Sequence, residues 1–202
     1  MKKKIGILGG TFNPIHIGHL ILAENAYDSL QLEKVLIMPS GISYLKDPAD
    51  ILPAKQRIQM VQLAIGNNKH LELSTFETDR PGNSYTHETL TQLQEKNPDC
   101  EYYFIIGADS LFNIEQWKEP QVVLDHCVLV AAPRYHMADE ALFEQKSRLE
   151  RFYHARVHLL NTPNIDISSN MIRARIIEKR TICYYVPKDV EMYIYKKKLY
   201  RK

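Results

Sequence analysis

Cysteine is scarce in this chain and scattered: Cys100, Cys127 and Cys183 are the only three in 202 residues, and none sits in a CxxC spacing. An odd, dispersed set excludes a disulfide framework and a cysteine metal knuckle. Free thiols fit a reducing, cytoplasmic setting. Long apolar runs are missing too; none approaches the about 20 residues needed to cross a bilayer, so no membrane partner is expected. Met1-Lys2-Lys3-Lys4 imitates the basic start of a secretory leader, but the apolar run behind it is short and broken by glycine. Neither charge sign dominates. A formal net charge of +2 argues against nucleic acid as the main partner. The basic end, Lys196-Lys197-Lys198 and Arg201-Lys202, reads as a solvated helix terminus that suits the helix dipole.

What remains is an ordinary globular composition, 45% hydrophobic and 25% charged. Strand-like apolar runs at 4–8, 34–38, 71–76, 102–107, 127–131 and 156–160 alternate with helix-period segments at 17–31, 54–66, 85–96 and 138–152. Leu20, Ala23, Tyr27 and Leu30 form the inward stripe of the first helix, and Ile58, Val61 and Ile65 that of the second. Pro53 suits the start of the second helix. Continuous apolar strands such as Val35-Leu36-Ile37-Met38 belong in a parallel sheet covered on both faces. The alternation implies an α/β fold: a doubly wound, Rossmann-like, mostly parallel sheet. Beyond about residue 161 the pattern turns helical, at 168–179 and 188–199, with no linker before it. The expected organisation is one domain over 1–202, an α/β core to about 161 and a C-terminal helical subdomain from about 162. Ligands of such sheets sit beyond the carboxyl ends of the strands, where strand order reverses. Gly9, Pro39, Phe76, Gly107 and Ala131 stand at those ends.

The richest stretch is Gly9-Gly10-Thr11-Phe12-Asn13-Pro14-Ile15-His16-Ile17-Gly18-His19, directly after the first strand. Two glycines allow a sharp turn and a close approach of backbone to ligand. His16 and His19 fall three apart at a helix start, on one face. Strand, glycine turn and helix start together describe a phosphate site. The histidines alone leave other readings open: solvated groups, core groups, or two ligands of a zinc site. Zinc normally takes three or four protein ligands, and no cysteine pair or HExxH accompanies these. A second phosphate element is Ser168-Ser169-Asn170-Met171-Ile172-Arg173, where Ser168 is a good N-cap and Ser169 can offer hydroxyl and amide to an anion. Arg173, one turn on, can reach the same anion with its fork.

The first stretch resembles the GGTFDPxHxGH signature of nucleotidyltransferases, and Ile167–Arg173 resembles their ISSTxIR element. With Arg57-Ile58-Gln59-Met60, Ser84-Tyr85-Thr86-His87-Glu88-Thr89-Leu90, Gly107-Ala108-Asp109-Ser110, Trp117 and Tyr185-Val186-Pro187, the chain resembles the bacterial nicotinate-nucleotide adenylyltransferases over nearly its full length. The resemblance implies that ATP and nicotinate mononucleotide are the substrates, with magnesium accompanying the triphosphate and no dedicated protein metal site. It implies that His16, His19, Lys46 and Arg173 are catalytic. Gly9, Gly10, Thr11, Phe12, His16, His19, Gly107, Asp109, Ser168, Ser169 and Arg173 would bind ATP. Lys46, Tyr85, Thr86, Trp117 and Arg134 would bind the mononucleotide, Trp117 by stacking on the pyridine ring.

The sequence departs from the pattern at four places. Asn13 stands for the usual Asp, which still permits an Asx turn before Pro14, and Asn170 stands for Thr. Residues 40–47 replace a PPHK-type loop, with Lys46 the match to its lysine. Residues 133–136 replace an RPG turn, with Arg134 the match. Acid and amide mononucleotides are not told apart by the sequence, because backbone N–H groups suffice to hold a small carboxylate. A nucleotide sensor without turnover is the non-enzymatic alternative, and a homo-oligomer is left open.

Overall fold

The computed structural model describes residues 2–42, 50–132, 139–163 and 165–201. Six parallel strands form its centre: β1 (Lys3–Gly10), β2 (Lys34–Pro39), β3 (Leu71–Leu73), β4 (Cys100–Gly107), β5 (Cys127–Ala132) and β6 (Arg156–Leu159), in the order β3-β2-β1-β4-β5-β6. The helices are α1 (Ile17–Leu30), α2 (Ala54–Ile65), α3 (Thr86–Lys96), α4 (Ala108–Asn113), α5 (Pro120–His126), α6 (Asp139–Tyr153), α7 (Ser169–Ile177) and α8 (Lys188–Lys196). All six expected strands form. The third is shorter than its apolar run, because the chain leaves the ladder into a turn over residues 76–79.

Alternation along each central strand sends side chains to opposite faces. Leu8, Val35, Ile37 and Ile105 join a cluster with α1, α2, α7 and α8. Ile5, Ile7, Tyr102 and Phe104 join another with α3, α4, α5 and α6. The helices from the C-terminal end therefore share an apolar core with the first two: Ile172, Ile176, Val190 and Ile194 pack with Ala23, Ala26, Met60 and Val61. The second helix differs from its expected stripe. Met60, Val61 and Ile65 face inward, Ile58 is only half-buried, and Arg57 is buried beside them.

Strand order reverses at β1, whose neighbours are β2 on one side and β4 on the other. The connections leaving β1 and β4 diverge there, opening a crevice at the strands' carboxyl ends. Gly10 and Gly107 mark that edge.

Candidate functional site

The crevice is a cleft of about 390 Å³, with Gly9, Gly10, Thr11, His16 and His19 on one wall and Phe104, Gly107, Ser110 and Trp117 on the other. Ser40, Glu77, Ser84 and Thr86 contribute as well, and Ile165 and Ile167 bring the chain leading into α7 to its rim. Loops after β1, β2, β3 and β4 and the approach to α7 thus converge on one space.

The turn after β1 is built differently from the expectation. Neither Gly9 nor Gly10 takes a left-handed backbone; Phe12 does, at φ 48°. A non-glycine residue there is uncommon and costs energy that surrounding packing must offset. Phe12 is buried at 2% exposure, so its ring stands behind the cleft wall and meets His19 edge-on, 5.0 Å between centroids. A side chain at position 10 would crowd this ring: a Cβ would lie 3.0 Å from Phe12 Cε1, so the ring would have to give by a few tenths of an ångström. The Asn13–Pro14 peptide is cis. His16 is the N-cap residue of α1, its ring buried and stacked on that of His19. Both rings sit at the positive end of the helix dipole, and no acidic residue occupies the first turn to compete for it.

The C-terminal segment grips this turn. Ser169 Oγ donates to the Pro14 carbonyl at 2.7 Å, and Arg173 Nη1 to the Asn13 carbonyl at 2.9 Å. Ile17 N–H donates to the Tyr185 carbonyl at 3.0 Å. Ser168 Oγ caps α7 by accepting from Met171 N–H. Arg173 Nη2 donates to Asn170 Oδ1 at 2.7 Å. Ser169 and Arg173 therefore brace the histidine turn, while the first amides of α7, which lack intrahelical partners by geometry, lie beside it.

Below the turn lies a cation that received no role from the sequence. Arg57, 3% exposed, donates from Nε to Leu52 O (3.0 Å), from Nη1 to Thr11 O (2.8 Å) and from Nη2 to Ser40 O (2.8 Å). One guanidinium thus ties the ends of β1 and β2 to the start of α2. Burial lowers its pKa from the usual arginine value, with a smaller opposing push from Tyr200, but arginine keeps its proton in proteins. It adds fixed positive charge beneath the cleft.

On the far side, Thr86 is the first residue of α3 and Tyr85 its N-cap. Lys118 Nζ lies 4.1 Å from the Tyr85 ring centroid. Asp109 is exposed in the first turn of α4, where its carbonyl accepts from Asn113 Nδ2. Trp117 is half-buried and set edge-on to Phe104 at 6.2 Å, so it walls the cleft and packs on the core at once. Glu77 is a further cleft residue that the sequence did not disclose. Thr89 Oγ1 donates to it at 2.9 Å, and Arg80 Nη2 reaches the same hydroxyl at 2.6 Å. Burial raises the Glu77 pKa, opposed in turn by hydrogen bonds from Thr89, the charge of Arg80, and hydrogen bonds from Ser84 and the Gly41 amide. The loops are so close here that a Cβ on Gly41 would come 2.7 Å from the Glu77 carbonyl. Lys46 and Arg134 lie outside the described residues. Among the described residues, no three His, Cys, Asp or Glu side chains are grouped to hold a metal ion.

The cytidylyltransferase-like family matches residues 7–175 of the chain. A probable nicotinate-nucleotide adenylyltransferase from Lachnoclostridium phytofermentans is 41% identical over 198 residues, 98% of this chain and 99% of that protein. Its counterpart from Clostridium novyi is 40% identical over 201 residues, 100% of each chain. Among solved structures, the Plasmodium falciparum nicotinic acid mononucleotide adenylyltransferase complexed with NaAD shares the fold, with a TM-score of 0.82 at 21% identity, covering 98% of this chain and 97% of that one.

Proposed function

Because the chain belongs to the cytidylyltransferase-like family and, within it, to the nicotinate-nucleotide adenylyltransferases, we propose that it transfers the adenylyl group of ATP to nicotinate mononucleotide, in NAD biosynthesis. The acceptor phosphate attacks the α-phosphorus, pyrophosphate leaves, and the deamido dinucleotide forms. The observation that carries this reading is the pairing of two walls across one cleft. The stacked histidines at the N-terminus of α1 face the aromatic wall of Trp117 and Phe104.

A phosphate monoester has a second pKa of about 6, so the nucleophile is largely dianionic at neutral pH. Neither a general base nor a covalent intermediate is needed. The protein's work is positioning and charge stabilisation. His16 and His19 offer N–H groups to the departing pyrophosphate, and the α1 and α7 termini and buried Arg57 supply fixed positive potential. Ser168, Ser169 and Arg173 act at the phosphates through the α7 amides and the brace on the turn. Gly9, Gly10 and Thr11 approach the nucleotide by backbone, with Phe12 behind them; Gly107 and Asp109 face its nucleoside. Tyr85, Thr86 and Trp117 hold the pyridine end, and Lys46 and Arg134 belong to the same reading. The donor set of imidazoles, amides and hydroxyls fits a magnesium ion carried by the triphosphate and water rather than by a carboxylate cage. That ion would neutralise charge between the phosphates.

The same reading keeps 1–202 as one cytoplasmic domain whose tail, from about residue 162, completes the site. The apolar core shared by α1, α2, α7 and α8 supports the single domain. Among the described residues no helix is long and apolar enough to cross a membrane. The test is pyrophosphate release with Mg-ATP and, separately, nicotinate mononucleotide, nicotinamide mononucleotide and phosphopantetheine. Release with the first, well above the others, is expected; equal or absent release with all three defeats the proposal.

A further inference from the structure

Asn13 is 4% exposed and is the meeting point of segments far apart in the chain. Its Nδ2 donates to the Asp50 carbonyl at 2.9 Å. That contact fixes which end of the amide is oxygen, and Oδ1 then accepts from Leu52 N–H at 3.3 Å and from the Tyr200 hydroxyl at 3.0 Å. Its own carbonyl is taken by Arg173. A carboxylate at this position would meet the Asp50 carbonyl oxygen with a second oxygen. The amide is thus what lets one side chain bind a donor and an acceptor from the same strand of loop.

The contact from Tyr200 is not incidental to its packing. Its ring lies against the cluster that holds α1, α2 and α8, and the backbone is left-handed at Lys198 (φ 52°) and at Tyr200 itself (φ 61°). Two such residues in close succession curl the chain back after α8 and bring the phenol to the first turn of the molecule. Burial raises the pKa of that phenol well above the ordinary tyrosine value, which keeps it protonated as a donor.

We propose that Tyr200 is a positioning residue for adenylyl transfer: its hydroxyl, through the Asn13 amide, holds the turn that aims His16 and His19 into the cleft. The proposal rests on the reaction proposed above. The chain of connection is short: Tyr200 to Asn13, then Pro14 and fully buried Ile15, then His16. Without the phenol, the Asn13 side chain keeps only its Asp50 and Leu52 contacts, and the turn tied at residues 13, 14 and 17 is held less firmly. Small misplacements of this kind are expensive for a reaction that depends on geometry.

Tyr200→Phe removes only the hydroxyl and leaves the ring to fill its place. With Mg-ATP and nicotinate mononucleotide, kcat should fall roughly 10-fold, as for loss of one buried hydrogen bond whose acceptor is left short of a partner. Both KM values should stay within about twofold, because the loss is felt in the transition state. Asn13→Ala and the double variant complete a cycle, in which the double variant should be scarcely slower than Asn13→Ala. An unchanged kcat in Tyr200→Phe, a change confined to KM, or additive losses would overturn the proposal. Should the wild type release no pyrophosphate, the reaction assignment fails on its own. The positioning role is then read from the imidazole NMR signals of His16 and His19. Displaced signals in Tyr200→Phe support it, and superimposable spectra overturn it.

Discussion

The backbone N–H of His16 donates to Nδ1 of His19 across 3.2 Å, and the two rings stack with centroids 3.6 Å apart. A ring nitrogen that accepts this bond leaves Nε2 to carry the proton of the neutral imidazole, in a residue that lines the cleft. The HxxH spacing therefore places two cleft groups on one helix start and also has one histidine set the orientation of the other.

His19→Ala should lower turnover by about 10²- to 10³-fold, the usual cost of one preorganised donor to a developing charge. The fold should be unchanged by circular dichroism. Turnover close to wild type would remove His19 from the mechanism, and one tightly bound zinc per purified chain would reassign both histidines.

Arg57→Met strips three carbonyls of their shared donor in a buried setting. Three unpaired acceptors at about 1–3 kcal/mol each would cost about 3–9 kcal/mol if none were rehydrated; the carbonyls belong to half-buried residues, so a loss at the lower end, about 3–5 kcal/mol, is expected. Denaturant titration measures it as a fall in the unfolding midpoint at unchanged slope. A loss below about 1 kcal/mol would show that water replaces the guanidinium.

Glu77 gives a pH dependence whose sign can be worked out. Its pKa is raised in the folded protein, so between the unfolded and folded values the native state binds more protons. Its contribution to stability is then fully present below the unfolded pKa and is lost as pH rises through the folded one. Glu77→Gln, which cannot ionise, should gain on the wild type as pH climbs from 4 to 8. A constant gap between the two across that range would refute the shift.

Trp117 is the only tryptophan in the chain, so its emission reports its surroundings alone. Titration with nicotinate mononucleotide should quench it saturably. Trp117→Ala should raise KM for the mononucleotide about 10-fold, the scale of one aromatic stacking contact, with KM for ATP little affected. Equal effects on both substrates would place the indole outside the pyridine subsite.

Much of this was legible in the sequence because it is periodic or local. Central strands announce themselves by apolar runs, α1 by its stripe, and the cap at Ser168 by its residue type. What escaped was short or distant. Helices α4 and α5 span residues 108–113 and 120–126, too few turns for a 3.6-residue period to emerge; Pro120 at the start of α5 was the one usable signal. Arg57 sits in the inward half of α2, where a charge reads as an exposed face until its carbonyl partners are seen. Glu77 lies in a turn with no motif of its own. Tyr200 and Asn13 are separated by 187 positions, and no local rule connects them.

The tail that braces the first turn also sets when the site can exist. On the ribosome Asn13 is read 187 positions before Tyr200, and domains gain structure as they emerge. A nascent chain stopped before residue 169 has strands and a glycine turn, but none of the grips from Ser169, Arg173, Tyr185 or Tyr200 on residues 13–17. Loss of the last few residues removes the Tyr200 contact, whereas loss of everything from residue 169 also takes the α7 and α8 side chains out of the core packed on α1 and α2.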